Sequence, residues 1–255
     1  MKRILPLFLF AILLGCKKGI VESEVKLDTD KLNADNLLSA EQKPLTVPGK
    51  AYFFGDSITE GYSGNAVIAD NWVNNVSKFV GWDFENLGIS GTTMVKNVNG
   101  ADDPLSMYNR AIAEIPEKTT GDKYLFFAYG MNDVGKNVFD VTTAQFIQDY
   151  QYVINNALAK NWNPSDIILL NIYYCKDQGF TLYNVEPPAT HFRQITFNQA
   201  IKNIALKNEV HFIDIYSFMK DNGADYLISY DGIHPNKNGY AVIARGVIEA
   251  LRSYK

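Results

Sequence analysis

The chain has 255 residues, of which 47% are hydrophobic, so it is long enough for one large domain or two small ones with a substantial core. Its formal net charge is −4 and it has no run of lysine and arginine, which excludes the basic footprint of a nucleic-acid-binding protein. Two cysteines, Cys16 and Cys175, are too few for a disulfide framework or a cysteine-rich metal site.

The N-terminus has the pattern of an export signal. Lys2 and Arg3 precede an apolar segment over residues 4–14, which is shorter than the roughly 20 residues that a membrane-spanning helix needs. The segment ends in Leu-Leu-Gly before Cys16, which resembles the lipobox of bacterial lipoproteins. This resemblance implies a signal peptide over residues 1–15, cleavage before Cys16 and lipid attachment to that cysteine. The alternative is an ordinary secretory signal; in both cases we expect an exported protein, either periplasmic or on the cell surface.

Residues 16–48 are rich in charged residues, asparagine and leucine, without a sustained period. Pro44 and Pro48 disfavour a helix that continues into the following segment. We predict a tether here and a single domain over residues 49–255. Leucines in the tether can still dock on the domain, so its degree of order stays open.

Four continuous apolar runs predict fully buried β-strands, and a fifth, weaker run predicts another. Continuous rather than alternating hydrophobicity is typical of parallel strands that are covered by helices on both faces. The four strong runs are residues 51–54, 124–129, 167–173 and 210–215, and the weaker one is 82–87.

Apolar residues recur at helical spacing between these runs. Residues 146–158 have one apolar face and follow a Thr142-x-x-Gln145 capping box. A second apolar face runs from Tyr240 to Leu251, and residues 235–239 are expected to form the loop before it. Alternating strands and helices predict a doubly wound α/β fold, a flavodoxin-like three-layer α/β/α sandwich with a mostly parallel sheet. Ligands of such folds bind beyond the carboxyl ends of the strands.

Residues that suit nucleophilic catalysis follow the first predicted strand and precede the last predicted helix. The segment 55–59 reads Gly-Asp-Ser-Ile-Thr, and 231–235 reads Asp-Gly-Ile-His-Pro. His234 can take the proton of the Ser57 hydroxyl, and Asp231 can orient the imidazole. Taken singly, Ser57 is equally well explained as a turn serine and Asp231 as a capping or Asx-turn residue.

Two other loops offer groups that can stabilise a negatively charged oxygen. Gly91 ends the segment 86–91, where a glycine lets the backbone approach a reacting carbonyl closely. Asn132, in the segment 130–133, has a side-chain amide that can donate, as can the backbone N–H of Ser57. Considered alone, Gly91 is also compatible with a simple turn. We expect Asp133 to bind loop amides rather than to take part in chemistry.

These four segments resemble the conserved blocks of the SGNH, or GDSL-type, hydrolase family, in the family's order and over most of the chain from about residue 50. Ile58 stands where the family usually has leucine. The resemblance implies that Ser57 is the nucleophile, that Asp231 and His234 are the acid and the base, and that Ser57, Gly91 and Asn132 form the oxyanion hole. The chain has no Gly-x-Ser-x-Gly elbow, which favours this family over the α/β-hydrolases.

The remaining histidines and Cys175 suggest no second centre. His211 lies in a strand-like run and is expected in the core or at a sheet edge, whereas His191 is expected on a loop where it can contact substrate. Neither has a carboxylate at the spacing that His234 has. No metal-binding or phosphate-binding motif is present, so we predict neither a metal nor a cofactor. Cys175 is expected to be partly buried.

The resemblance implies a serine esterase that works through an acyl-enzyme, and the substrate must be argued separately. Aromatic and amide side chains in the predicted rim loops suit sugar rings, although a chain with 15 tyrosines and 15 phenylalanines places aromatic rings in many positions. We therefore predict an O-acetylesterase acting on carbohydrate. The alternatives are a lysophospholipase or other lipid esterase, and a catalytically silent glycan-binding lipoprotein. The oligomeric state stays open. The predicted rim residues are Tyr62, Asn65, Asn71, Trp72, Tyr108, Asn109, Tyr173, Tyr174 and Tyr183.

Overall fold

The computed structural model describes residues 48–98, 100–135, 141–181 and 187–254. The predicted signal peptide, Cys16 and all of the predicted tether except Pro48 lie outside the described residues, as does Tyr183. Within the part of the chain that is described, every helix is too short or too polar to cross a membrane.

Five of the described strands form one parallel sheet: β1 (Lys50–Gly55), β2 (Asp83–Gly88), β5 (Asp122–Ala128), β6 (Ile167–Leu170) and β7 (His211–Ile213). Their spatial order is β2-β1-β5-β6-β7. Two very short strands, β3 (Asn97–Val98) and β4 (Ala101–Asp102), form a separate antiparallel pair. The sheet order is that of the flavodoxin-like doubly wound fold, which confirms the predicted fold class.

Helices cover both faces of the sheet. The described helices are α1 (Ser57–Glu60), α2 (Trp72–Val80), α3 (Met107–Glu114), α4 (Met131–Gly135), α5 (Thr143–Ala159), α6 (Asp177–Thr181), α7 (Pro187–Asn208), α8 (Ile215–Asp221) and α9 (Lys237–Ser253). Helix α9 packs against α2 and α8, whereas α5 packs against α3 and α7. Short 3₁₀ turns precede β6 and α9, at Pro164–Asp166 and Ala224–Leu227.

Aromatic pairs between β1 and β5 explain why these strands are apolar throughout. Phe53 stacks on Phe126 with ring centroids 4.4 Å apart, and the next residues, Phe54 and Phe127, stack at 5.6 Å. Successive side chains of a strand point to opposite faces, so the two pairs fill opposite sides of the sheet. Trp72 of α2 packs edge-on against Phe53 at 5.3 Å. The continuous hydrophobic pattern thus reflects burial on both faces, as predicted.

Two predicted strands are longer than the strands observed. The run 167–173 forms a strand only as far as Leu170, and 210–215 only over His211–Ile213. The second strand ends because Asp214 caps α8: its Oδ1 accepts from Ser217 N at 3.1 Å, and Ile215 is already helical. Hydrophobicity alone does not distinguish the end of a buried strand from the start of a buried helix.

Capping residues define the ends of the long helices. Thr142 Oγ1 accepts from Gln145 N at 3.1 Å, which confirms the predicted start of α5. Helix α9 begins at Lys237 rather than at Tyr240, because Asn236 Oδ1 accepts from Gly239 N at 3.0 Å. Of the residues expected to form the preceding loop, 237–239 are therefore the first turn of the helix, whereas Pro235 and the capping Asn236 precede it.

Candidate active site

The four sequence segments singled out above meet at the carboxyl edge of the sheet. Ser57 follows β1, Gly91 follows β2 and Asn132 follows β5, and β2 and β5 are the two neighbours of β1. The strand order reverses at this point, which is where doubly wound sheets bind their ligands. The loop before α9 brings His234 to the same place, since His234 contacts Ser57.

Ser57 is the first residue of the short helix α1, and its position is fixed by a cap. Asp56 precedes the helix in an extended conformation, and its Oδ1 accepts from Ile58 N at 3.0 Å. Gly61 ends the helix after a single turn. Ser57 is partly buried, so its hydroxyl is held at the surface of the sheet edge rather than on a free loop.

A chain of hydrogen bonds joins Ser57, His234 and Asp231. Ser57 Oγ lies 2.9 Å from His234 Nε2, and His234 Nδ1 lies 2.6 Å from Asp231 Oδ2. With its proton on Nδ1, the imidazole donates to the carboxylate and accepts from the hydroxyl. This arrangement can remove the hydroxyl proton as the oxygen attacks, which makes serine an effective nucleophile near neutral pH.

Asp231 is held as a carboxylate by its own loop. Besides the imidazole, it accepts at Oδ1 from the backbone N–H groups of Ile233 and His234, both at 3.0 Å. Burial alone would raise the pKa of Asp231, but the hydrogen bonds from the His234 side chain and from the two amides outweigh burial. The pKa of Asp231 is therefore below its ordinary value, and the group is ionised at neutral pH.

Asn132 lies in α4 with its side chain almost fully buried. Its Nδ2 donates to the carbonyl of Thr92 at 2.9 Å, which orients the amide toward the loop that contains Gly91. Gly91 has φ of +76°, in the left-handed region that favours glycine. The bond to Thr92 thus links a side-chain donor that follows β5 to a backbone segment that follows β2, across the strand β1 between them.

The side chain of Asp133 stabilises the loop that contains Gly91. Its carboxylate is fully buried and accepts from the backbone N–H groups of Met94 and Val95, each at 3.0 Å at its nearest oxygen. Burial raises the pKa of Asp133 to about 7, although the amide hydrogen bonds lower it. These contacts confirm the expectation that Asp133 binds loop amides.

Comparison with known proteins identifies the family. The family model described as "GDSL-like Lipase/Acylhydrolase family" matches residues 53–242, well over half of the chain. The chain belongs to the GDSL-like lipase/acylhydrolase family. Ester hydrolysis is the activity of this family, and the protein is therefore an ester hydrolase.

Solved structures of other esterases share the fold of this hydrolase. A lipase/acylhydrolase from Enterococcus faecalis has a TM-score of 0.62 and 21% identity, over 81% of this chain and 98% of that one. The acetylxylan esterase Axe2 from Geobacillus stearothermophilus has a TM-score of 0.58 and 19% identity, over 82% of this chain and 96% of that one. The psychrotrophic esterase EstA from Pseudoalteromonas sp. has a TM-score of 0.58 and 18% identity, over 81% of this chain and 98% of that one. A search of curated proteins found no match.

Helix α1 of the hydrolase is tied to the loop after β2 by polar contacts that the sequence analysis missed. Asn86 Nδ2 donates to Thr59 O at 2.8 Å, and Ser90 N donates to Glu60 Oε2 at 3.0 Å. These bonds connect the helix that begins with Ser57 to the segment that ends at Gly91. Glu60 lies one residue beyond the recognised segment, and its partner lies 30 positions away, so no local pattern marks it.

Four side chains of the predicted rim have other places in the structure. Trp72 and Tyr173 are buried in the core of the hydrolase, with 0% and 1% of their surface exposed. Asn71 caps α2 by accepting from Asn74 N at 2.9 Å, and Tyr108 stacks on Tyr152 at 4.1 Å between α3 and α5. Large rings bury more apolar area inside the protein than at a rim, which explains why Trp72 and Tyr173 lie in the core.

Tyr62, a predicted rim residue, reaches the site. Its ring packs perpendicular to the His234 ring, with centroids 4.8 Å apart. Two residues that the sequence analysis did not name accompany it: Gly64, which lies against the Asp231 carboxylate, and Tyr230, whose hydroxyl donates to the Gly64 carbonyl at 2.8 Å. The functional site therefore includes the loop after α1.

His211 lies where the sequence predicted, whereas His191 does not. His211 opens the edge strand β7 and stacks on Tyr254 at 3.7 Å, as predicted for an edge residue, and burial lowers its pKa. His191 lies in helix α7 rather than on a loop, and its Nε2 is hydrogen-bonded to Asp177. The hydrolase thus has a second histidine–carboxylate pair, whose partners are too far apart in sequence to be recognised by spacing.

Cys175 is fully buried rather than partly buried, and burial raises the pKa of its thiol. Its Sγ lies 3.7 Å from Gln194 Nε2. Across the described ranges, no three histidine, cysteine, aspartate or glutamate side chains gather where they could hold a metal ion.

Proposed function

We propose that Ser57, His234 and Asp231 are the catalytic triad of this esterase and that it works through an acyl-enzyme. The single observation that carries the proposal is the continuous hydrogen-bond chain from Ser57 Oγ to Asp231, with contacts of 2.9 and 2.6 Å. Three groups from two distant segments converge at the switch point of the sheet in the order that nucleophilic catalysis requires.

Acylation begins when Ser57 Oγ attacks the ester carbonyl carbon while His234 Nε2 accepts the hydroxyl proton. The new C–O bond moves the carbonyl electron pair onto oxygen, and Asp231 stabilises the imidazolium through Nδ1. The intermediate collapses as the bond to the alcohol breaks, and His234 returns the proton to the departing oxygen. Water, activated by the same imidazole, then attacks the acyl-serine, and Ser57 is regenerated together with the free acid.

The negative charge of each tetrahedral intermediate needs hydrogen-bond donors. We assign this role to the backbone N–H groups of Ser57 and Gly91 and to Asn132 Nδ2. A primary amide has two N–H groups, and the bond to Thr92 O at 2.9 Å uses one of them. The other is available to a substrate oxygen, and the amide needs no reorganisation during the reaction because Thr92 already holds it.

For the substrate we propose an acetyl ester of a carbohydrate. The acetylxylan esterase Axe2 shares the fold over 82% of this chain, which supports a carbohydrate ester as one of the substrates that this fold can take. Trp72 and Tyr173, which were expected to line a sugar site, are core residues and do not contribute to one. The substrate class therefore depends on the fold likeness and on the predicted export of the protein.

We also propose that Cys16 is lipid-modified and that residues 16–48 tether the domain over 49–255 to a membrane, which makes the hydrolase a periplasmic or surface lipoprotein. The basic start, the short apolar segment and the cysteine that follows it support this. Growth with a clickable palmitate analogue should label the wild-type protein and not Cys16→Ser. Cys175→Ser, which changes the other cysteine, should keep the label. Labelling of Cys16→Ser would refute the anchor.

Hydrolysis of p-nitrophenyl esters from acetate to palmitate, together with acetylated xylan, tests the function in the full chain. We expect turnover confined to acetyl esters and lost in Ser57→Ala. Ser165→Ala is the control, since Ser165 is exposed and lies in the 3₁₀ turn before β6, at the edge of the sheet opposite to the site. A fluorophosphonate should form one adduct on the wild type and none on Ser57→Ala. Preference for palmitate would replace the carbohydrate proposal with a lipid esterase, and full activity of Ser57→Ala would refute the triad.

A further inference from the structure

We propose that residues 61–68, the loop after α1, act as a clamp that holds the imidazole of His234 in its reactive orientation, with Tyr62 and Gly64 as positioning residues. The inference rests on the proposed triad and extends it to a segment outside the four recognised blocks. We call this segment the clamp loop.

The clamp loop has a closed internal structure. Ile68 N donates to Gly61 O at 2.9 Å, and Ser63 N donates to Ala66 O at 2.8 Å. Tyr62 and Val67 form an antiparallel bridge between the two sides of the loop. The segment is thus a folded unit whose ends meet, and such loops are commonly functional.

The clamp loop is attached to the core through the main chain of Tyr62. The hydroxyl of Tyr240, a fully buried residue of α9, donates to Tyr62 O at 2.6 Å. Helix α9 directly follows the loop that contains Asp231 and His234. The clamp loop and His234 are therefore both positioned by helix α9.

Tyr62 limits the rotation of His234. Its ring meets the imidazole at 80° with a centroid separation of 4.8 Å, an edge-to-face contact of the favoured kind. Its hydroxyl donates to Gly64 O at 3.2 Å, which fixes the ring at its far end. Rotation of the imidazole would break its contacts with both Ser57 and Asp231, and a fixed ring at its side opposes that rotation.

Gly64 packs against the carboxylate that orients the base. It has φ of +94°, and a Cβ atom at this position would lie 2.9 Å from Asp231 Oδ2 and 3.2 Å from Ser229 Cβ. Its carbonyl accepts from the hydroxyls of Tyr62 and Tyr230. The backbone of Gly64 therefore covers the oxygen that accepts from His234 Nδ1, at a distance that no side chain would allow.

The clamp predicts a loss of turnover that does not depend on the substrate, because orientation of the base affects every ester equally. Tyr62→Leu removes the aromatic ring, whereas Tyr62→Phe keeps it and removes only the hydroxyl. We expect kcat of Tyr62→Leu to fall by about 10- to 100-fold, as for other small displacements of catalytic groups, with KM within about twofold. Tyr62→Phe should retain most of the wild-type kcat.

Tyr226→Leu is the matched control, since it makes the same substitution outside the clamp loop, at a tyrosine of the 3₁₀ turn Ala224–Leu227 that is 64% exposed. It should retain wild-type kcat. A second readout is the proton NMR signal of His234 Nδ1–H, assigned by its absence in His234→Ala. This proton should exchange faster with water in Tyr62→Leu than in the wild type or in Tyr226→Leu, because its hydrogen bond to Asp231 is less well held.

Three outcomes would overturn the clamp: wild-type kcat in Tyr62→Leu, a change in KM alone, or an equal loss in Tyr226→Leu. Gly64→Ala adds a second perturbation, and its melting temperature is measured beside kcat. If Gly64→Ala does not fold, the Tyr62 variants still decide the question. Failure of the triad is distinguishable, because Ser57→Ala and His234→Ala would then keep turnover, whereas failure of the clamp leaves both inactive.

Discussion

Replacing Asp231 by asparagine tests the proposed triad with almost no change in shape. The asparagine Oδ1 can still accept from the amides of Ile233 and His234, which Asp231 binds at 3.0 Å. Its Nδ2, however, takes the place of the oxygen that lies 2.6 Å from His234 Nδ1. An N–H donor at this distance forces Nδ1 to be the acceptor, so the imidazole carries its proton on Nε2 and faces Ser57 with a donor.

The wrong tautomer cannot accept the Ser57 proton. For a buried aspartate in a triad, this substitution lowers kcat by about 10⁴, which corresponds to about 5 kcal/mol of transition-state stabilisation. We expect a loss of this size, with KM for p-nitrophenyl acetate changed by less than about threefold, since uniform binding is untouched. Initial rates on p-nitrophenyl acetate measure it, and circular dichroism checks that the variant is folded.

The second histidine–carboxylate pair provides the control for this experiment. Asp177 is hydrogen-bonded to His191, and its side chain is 74% exposed. Asp177→Asn makes the same chemical change in a pair that we place outside the triad and should leave kcat unchanged. Retention of more than a tenth of wild-type kcat by Asp231→Asn, or an equal loss in Asp177→Asn, would refute the assignment of Asp231.

Further predictions concern the oxyanion hole, the buried carboxylate and acid stability. Asn132→Ala should lower kcat by about 10²–10³ in a folded protein, and wild-type turnover would remove Asn132 from the site. Asp133→Ala leaves two buried amides without an acceptor and should lower the free energy of unfolding in urea by about 1–3 kcal/mol, whereas an unchanged midpoint would contradict the role of its carboxylate. Because the pKa of Asp231 is lowered by folding, the stability it contributes is present above its ordinary pKa of about 4 and is lost as the pH falls through the lower folded value. The difference in unfolding free energy between the wild type and Asp231→Asn should therefore shrink in acid, and a constant difference between pH 5 and pH 2 would contradict this linkage.

The contribution of Asp133 to stability changes with pH in the opposite direction to that of Asp231. Burial raises its pKa to about 7, so folding favours its protonated form. Its contribution to stability is fully present below the ordinary aspartate pKa and is lost as the pH rises toward 7. The two carboxylates thus oppose each other in acid, which is why the test for Asp231 compares each variant with the wild type at the same pH.

The sequence by itself determined the fold class and the residues of the proposed site. Parallel strands buried on both faces must be apolar throughout, and this requirement is visible in the runs that became β1 and β5. Thr142 predicted the start of α5 because a helix cap is a local interaction. Ser57 and His234 were recognisable because each lies in a short segment of fixed spacing.

Only the tertiary structure decided which side chains surround those residues. Trp72 is buried and Tyr62 contacts His234, although both are aromatic residues in the segment after α1. His191 gained a carboxylate partner that its sequence neighbourhood does not contain. Local patterns reflect interactions over a few residues, such as caps and strand periodicity. Contacts between distant segments depend on how helices and loops pack on the sheet, and that packing decided what clamps the base and what fills the core.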